Sequence, residues 1–275
     1  MRMLAILGCV DAGRGAASEP RSATCVTADE AAAIPGVVLL DVRSPAQFEA
    51  ERPDGALLLD PGALMREVDG LTNEAVEPAV GAAVLAAAGL PRDAPVVVVG
   101  DDTGLTPARV AWTLSLFGHE AFALVDGGMQ AWRTAGLPTA SGPSVAVPTD
   151  YAIDDVRDEL RVDADWVLEH LDDPDVVLID ARSPAEYAAG HIPGAVSVDW
   201  QSTVREGTFL DDDALAALYR DVPTGATVVT YCQSGMRASV AWVALVSLGH
   251  ADVRLYDGSW AEWGSRDELP KETGA

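Results

Sequence analysis

Short, unbroken apolar runs punctuate this chain. They fall at 37–40, 96–99, 176–179 and 228–231, and two further runs end at Asp126-Gly127 and Asp257-Gly258. Strands that are apolar throughout, rather than alternating, are buried on both faces. Between them lie Ala/Glu/Leu-rich stretches that read as helices. One opens after Thr27 and its counterpart after Asp163, both residue types that cap helix N-termini. Others are expected over 212–219 and 238–248. Each 37–40 or 176–179 run ends at Asp-x-Arg and leads into a polar turn, a Gly-Ala loop and a short strand. A Trp-bearing helix closes each series, at Trp132 and at Trp263. Strands alternating with helices predict an α/β fold, with parallel sheets covered by helices on both faces. Ligand sites in such sheets lie at the carboxyl ends of the strands.

The pattern occurs twice. Val37-Val38-Leu39-Leu40-Asp41-Val42-Arg43-Ser44-Pro45 returns as Val176-Val177-Leu178-Ile179-Asp180-Ala181-Arg182-Ser183-Pro184, and Pro53-Asp54-Gly55-Ala56 returns as Ile192-Pro193-Gly194-Ala195. Phe117-Gly118-His119 and Asp126-Gly127 return as Leu248-Gly249-His250 and Asp257-Gly258. A period this long describes two tandem domains, not a solenoid. We place them at 24–137 and 151–275. A linker rich in Pro, Ser, Thr and Gly covers 138–150, and residues 1–23 form a flexible leader.

Composition narrows the partners. The 275 residues carry a formal charge of −25, from 43 acidic and 18 basic residues. Such a surface repels nucleic acid. No window approaches a membrane span. Met1–Cys9 faintly resembles a lipoprotein signal, but its apolar run is shorter than the usual ~7–15 residues. The three cysteines (Cys9, Cys25, Cys232) are widely spaced and the four histidines are scattered. Neither a disulfide framework nor a metal site is expected, and no cofactor is implied. A reducing, cytoplasmic setting fits this cysteine usage.

The chemistry concentrates at Cys232. It ends the apolar run 227–231 and is followed by Gln233, Ser234, Gly235, Met236 and Arg237, before the predicted helix. Backbone N–H groups of such a loop can form an anion-binding nest, and the helix N-terminus adds partial positive charge. Both favour the thiolate. Gly235 can take the backbone angles that close the loop. Arg182, just past the strand ending at Asp180, has a guanidinium fork suited to an anionic group; the alternative is an ion pair with Glu186, four residues on. In the first copy, anchoring on Gly118 and Gly249 sets Asp101 opposite Cys232, and anchoring on Trp112 and Trp242 sets Asp102 there. A carboxylate cannot do thiolate chemistry, so the second domain is expected to be the active one.

Taken together, the tandem copies, Asp180-x-Arg182-Ser183-Pro184-x-Glu186-Tyr187, Gly190-His191-Ile192-Pro193-Gly194-Ala195, Tyr231-Cys232-x-x-Gly235-x-x-Ala238 and Asp257-Gly258 resemble the rhodanese sulfurtransferases over residues 24–268. The resemblance implies two rhodanese-like domains, the first inactive, and a double displacement. Cys232 would take a sulfane sulfur from a small anionic donor and pass it from the persulfide to a thiol or cyanide acceptor. It places Arg182 at the anion, makes the loop Gln233–Arg237 the cradle, and makes His191 a structural loop residue. Thiosulfate-type members carry basic residues just after the cysteine, and mercaptopyruvate-type members carry small neutral ones with a Ser second. Neutral Gln233 and Ser234 lean towards 3-mercaptopyruvate. Two other readings share the motif: a persulfide carrier or redox sensor fed by a protein partner, and a cysteine-dependent phosphatase of the same fold. The phosphatase loop is longer than the four residues between Cys232 and Arg237. The oligomeric state is not fixed by the sequence.

Overall fold

The structure, a computed structural model, describes residues 25–101 and 104–274. The leader with Cys9, and Asp102, lie outside the described residues.

Each half of the chain builds one five-stranded sheet in which every neighbouring pair is parallel. The first has the order Cys25–Val26, Phe122–Val125, Val96–Val99, Val38–Asp41, Leu57–Leu58. The second repeats it as Arg161–Val162, Asp252–Tyr256, Thr227–Tyr231, Val176–Asp180, Val196–Ser197. All four residues of Val96–Val99 are buried, as a strand apolar on both faces requires. The predicted helix starts are present. Thr27 caps Ala28–Ala33 with a reciprocal Glu30 capping box, and Asp163 caps Ala164–Glu169. The long helices are Leu105–Leu116 and Met236–Ser247, and Asp212–Leu218 is a further helix.

Three features were not foreseen. The stretch after each Asp-x-Arg is a helix rather than a turn: Pro45–Ala50 and Pro184–Ala189, each begun by a Ser–Pro pair and closed by a capping box (Ser44 with Gln47, Ser183 with Glu186). Each domain also extends a small antiparallel hairpin towards the other, Met65–Val68 with Leu71–Ala75 and Val204–Arg205 with Thr208–Phe209. The linker packs on the first domain. Thr139–Ala140 pairs with Arg52–Pro53, and the Thr149 N–H donates to the Ala86 carbonyl at 3.0 Å.

The long helices Leu105–Leu116 and Met236–Ser247 pack on each other, and most residues of both are buried, including the whole stretch 238–245 of the second. One hydrophobic core consequently runs through both halves, from Leu40 and Trp112 to Val228 and Trp242. The outer face of each sheet has its own smaller core. This places the carboxyl end of Thr227–Tyr231 beside the hairpin of the first domain. Among the described residues no helix is long and apolar enough to cross a membrane.

Candidate active site

Cys232 follows the central strand directly and is only 1% exposed. The loop passes through exposed Gln233 and half-buried Ser234 to Gly235, which starts the helix. Gly235 has φ +79°, and a Cβ there would lie 2.5 Å from Asp257 Oδ1 and 2.9 Å from Arg109 Nη1. Conformation and space both demand glycine.

The rear of the loop is fully occupied. Ser259 Oγ accepts hydrogen bonds from the N–H groups of Cys232 (3.2 Å) and Gly235 (3.1 Å). The N–H groups of Trp260 and Ala261 donate to the carbonyls of Cys232 and Gln233, both at 3.0 Å. On the helix side, the first N–H groups of Met236–Ser247 have no intrahelical acceptor and carry the positive end of the helix dipole.

Arg237 is held by Glu186. Its two terminal nitrogens donate to the two carboxylate oxygens at 2.8 Å each. This fork, with the Ser183 cap, holds the Glu186 carboxyl at about 2 against burial. Arg237 is in turn pushed above the usual guanidinium range, chiefly by Glu186, and the adjacent Cys232 adds to the effect. Arg237 therefore faces the cysteine as well as the carboxylate.

Arg182 does not make the ion pair with Glu186 that its spacing offered. Its Nε and Nη2 are bound to the Asp180 carboxylate, and Nη2 also donates to the Gly190 carbonyl at 2.7 Å. Its guanidinium lies over the Trp260 ring, 4.6 Å from the centroid. Its ionic partner is Asp180; Glu186 is taken by Arg237. Arg43 repeats the arrangement in the first domain, with Asp41 and the Glu51 carbonyl. The shared part of this geometry is structural and orients the loop after each strand. His191 is structural too: its ring stacks on Tyr187 at 3.7 Å and its Nδ1 bonds the Tyr187 carbonyl.

The first domain supplies residues that sequence reasoning missed. Asn73, at φ +68° in the hairpin, donates through Nδ2 to Ser234 Oγ at 2.9 Å. Arg109 reaches across from Leu105–Leu116 to Asp257, 2.7 Å between Nη1 and Oδ1, with both side chains buried. Asp257 also accepts the Ala75 N–H at 2.9 Å. Next to it, burial and then the charge of Asp257 raise the Glu74 carboxyl to about 7. One signal for Arg109 was legible: it is the single charge in an otherwise uncharged helix.

The equivalent loop in the first domain needs a correction. Strand registry pairs Val99 with Asp41 and Tyr231 with Asp180. Counted from the strand, Gly100 and not an aspartate stands where Cys232 stands. The Met129 N–H bonds the Gly100 carbonyl at 3.1 Å, just as that of Trp260 bonds Cys232. Anchoring on the helix misplaced the position because this loop is one residue longer. Pro107 fills the space a side chain at Gly100 would need.

The profile of the Rhodanese-like domain matches residues 27–135 and again 163–266. The chain belongs to the rhodanese family. Among the proteins similar to this rhodanese, a putative thiosulfate sulfurtransferase of Mycobacterium bovis is 31% identical over 88% of this chain and 93% of its own length. A thiosulfate sulfurtransferase of Corynebacterium glutamicum is 33% identical, covering 84% of this chain and 86% of its own. The crystal structure of SseA from Escherichia coli, described among 3-mercaptopyruvate sulfur-transferring enzymes, superposes with a TM-score of 0.77 at 27% identity, over 86% of this chain and 98% of that one.

Proposed function

We propose that this rhodanese is a sulfurtransferase that carries a sulfane sulfur on Cys232. The observation that carries the reading is the loop itself. A buried thiol stands between a loop whose rear polar groups are satisfied from behind and a helix N-terminus, with a cation beside it. In the first step the Cys232 thiolate attacks the outer sulfur of the donor. A Cys–S bond forms as the donor's own bond to that sulfur breaks, and sulfite leaves from thiosulfate or pyruvate, after protonation, from 3-mercaptopyruvate. In the second step the acceptor attacks the outer persulfide sulfur, which releases thiocyanate or a new persulfide and restores the thiolate. The loop N–H groups of Gln233, Ser234, Met236 and Arg237 are suited to hold the persulfide anion, as an oxyanion hole holds an alkoxide.

Gln233 and Ser234 bring no charge, so the donor's anionic end falls to Arg237 and to the Nη1 of Arg182, whose other nitrogens are anchored. A single carboxylate matches that arrangement better than a dianion, and 3-mercaptopyruvate is the proposed donor. The burial of Cys232 favours small donors and acceptors over a protein-fed carrier. A reducing compartment such as the cytoplasm would keep the thiol available.

Intact mass after brief incubation with thiosulfate, and separately with 3-mercaptopyruvate, tests the reading. The expected result is a gain of one sulfur atom, removable by cyanide, faster with 3-mercaptopyruvate and absent in Cys232→Ser. No gain with either donor from fully reduced protein overturns it and turns attention to a protein-fed carrier.

A further inference from the structure

The segment behind the cysteine loop carries a residue whose geometry makes sense only as support for Cys232. Ser259 is fully buried and has φ +52°, in the left-handed region that side chains other than glycine rarely adopt. The first domain has a matching residue here, although Gly127 before it is left-handed (φ +75°) and Gly258 is not (φ −59°). Gly128 likewise follows an Asp-Gly pair, and its φ is +53°. The residue after each turn donates to the first carbonyl beyond the central strand, Met129 to Gly100 and Trp260 to Cys232. The domain without a loop cysteine builds this place from glycine. The domain with one builds it from serine, in the same unfavourable conformation.

The serine hydroxyl makes three bonds. It donates to the Tyr256 carbonyl at 2.8 Å and accepts the N–H groups of Cys232 and Gly235. These two N–H groups bracket the loop. We propose that Ser259 is the positioning residue of the Cys232 loop. By drawing the N–H groups of residues 232 and 235 to the rear, it sets the intervening N–H groups of Gln233 and Ser234, and those of the first helical turn, towards the sulfur. Without the hydroxyl, two buried N–H groups lose their acceptor and must turn elsewhere, at the expense of the cradle. The strain at residue 259 is the cost of that preorganisation. The consequence for sulfur transfer rests on the persulfide reading; the effect on the thiol does not.

The test is Ser259→Gly, which keeps the backbone angle that Gly128 adopts, with Ser259→Ala as the second variant should the first not fold. Peptide-resolved mass spectrometry follows alkylation of Cys232 by iodoacetamide against pH. The midpoint is expected to rise by about one pH unit, and sulfur uptake at neutral pH to slow about tenfold. Circular dichroism should remain that of the parent. An unchanged or lowered midpoint in a folded variant overturns the proposal. If the midpoint rises while the parent protein takes up no sulfur from any donor, Ser259 keeps its role and the persulfide reading falls.

Discussion

Arg237 is shared between two neighbours, the Glu186 carboxylate it grips and the Cys232 side chain it faces. Glu186 thus fixes the guanidinium but also sets a negative charge near an anionic donor. Glu186→Gln is expected to lower the donor KM a few-fold at low ionic strength, and the gain should fade as salt screens it; steady-state rates across a salt series decide. Glu74 gives a second prediction. Its carboxyl is raised from the ordinary range to about 7, so the folded state binds its proton more tightly than the unfolded chain does. That stability is complete below pH 4.5 and is lost as pH rises to about 7. Glu74→Gln, which mimics the protonated form, should match the parent in urea melts near pH 4.5 and exceed it by about 1–2 kcal/mol at pH 8, allowing for partial exposure. The residues at this scale differ in how openly the sequence shows them. Cys232 and Gly235 are legible because a cysteine ends a β-branched run and a glycine closes the loop. Ser259 is not, because its task is a hydrogen bond to a different strand's loop, and no local pattern encodes that. The function of Arg182 was only half legible: Asp-x-Arg recurs in both domains, but the partner of the arginine lies two residues back and not four ahead.

The short helices after Asp-x-Arg are made by their caps. Pro184–Ala189 has six residues, too few to show a hydrophobic period, yet Ser183 and Glu186 bond each other's backbone N–H. Ser183→Ala should cost about 1 kcal/mol in chemical denaturation and loosen Glu186 along with it. The Ser-Pro-x-Gln/Glu signature was present in the sequence; reading it as a turn overlooked the reciprocal cap. The hairpins escaped for the opposite reason. Met65–Val68 and Leu71–Ala75 are largely polar and turn through Asp69 at φ +52°. They are stabilised by the other domain rather than by their own alternation. Between elements, Arg109 ties Leu105–Leu116 to the turn at Asp257. Arg109→Ala leaves a buried carboxylate without its counter-charge and is expected to cost about 3–5 kcal/mol. Arg133→Ala, which removes the exposed pair with Glu51 and a long hydrogen bond to Gln130, should cost under about 1 kcal/mol.

At the scale of the molecule, the repeat foretold two domains but not how far they merge. The largest core includes Trp112 and Leu114 from one half and Val240 and Trp242 from the other, so neither half can melt without exposing its partner. Calorimetry should show one cooperative transition, with van't Hoff and calorimetric enthalpies in agreement. Two separate transitions would contradict this. The same intimacy explains the reciprocal hairpins. The Ala75 N–H of the first domain binds the carboxylate of Asp257, and the Phe209 N–H of the second binds that of Asp126, both at 2.9 Å. Each half lends an arm to the other's Asp-Gly turn, as identical subunits do across an isologous interface. The chain is, in effect, a two-fold dimer joined end to end. In this joined pair a glycine stands in the first domain where the second has Cys232, and the first domain's hairpin reaches the cysteine loop of the other.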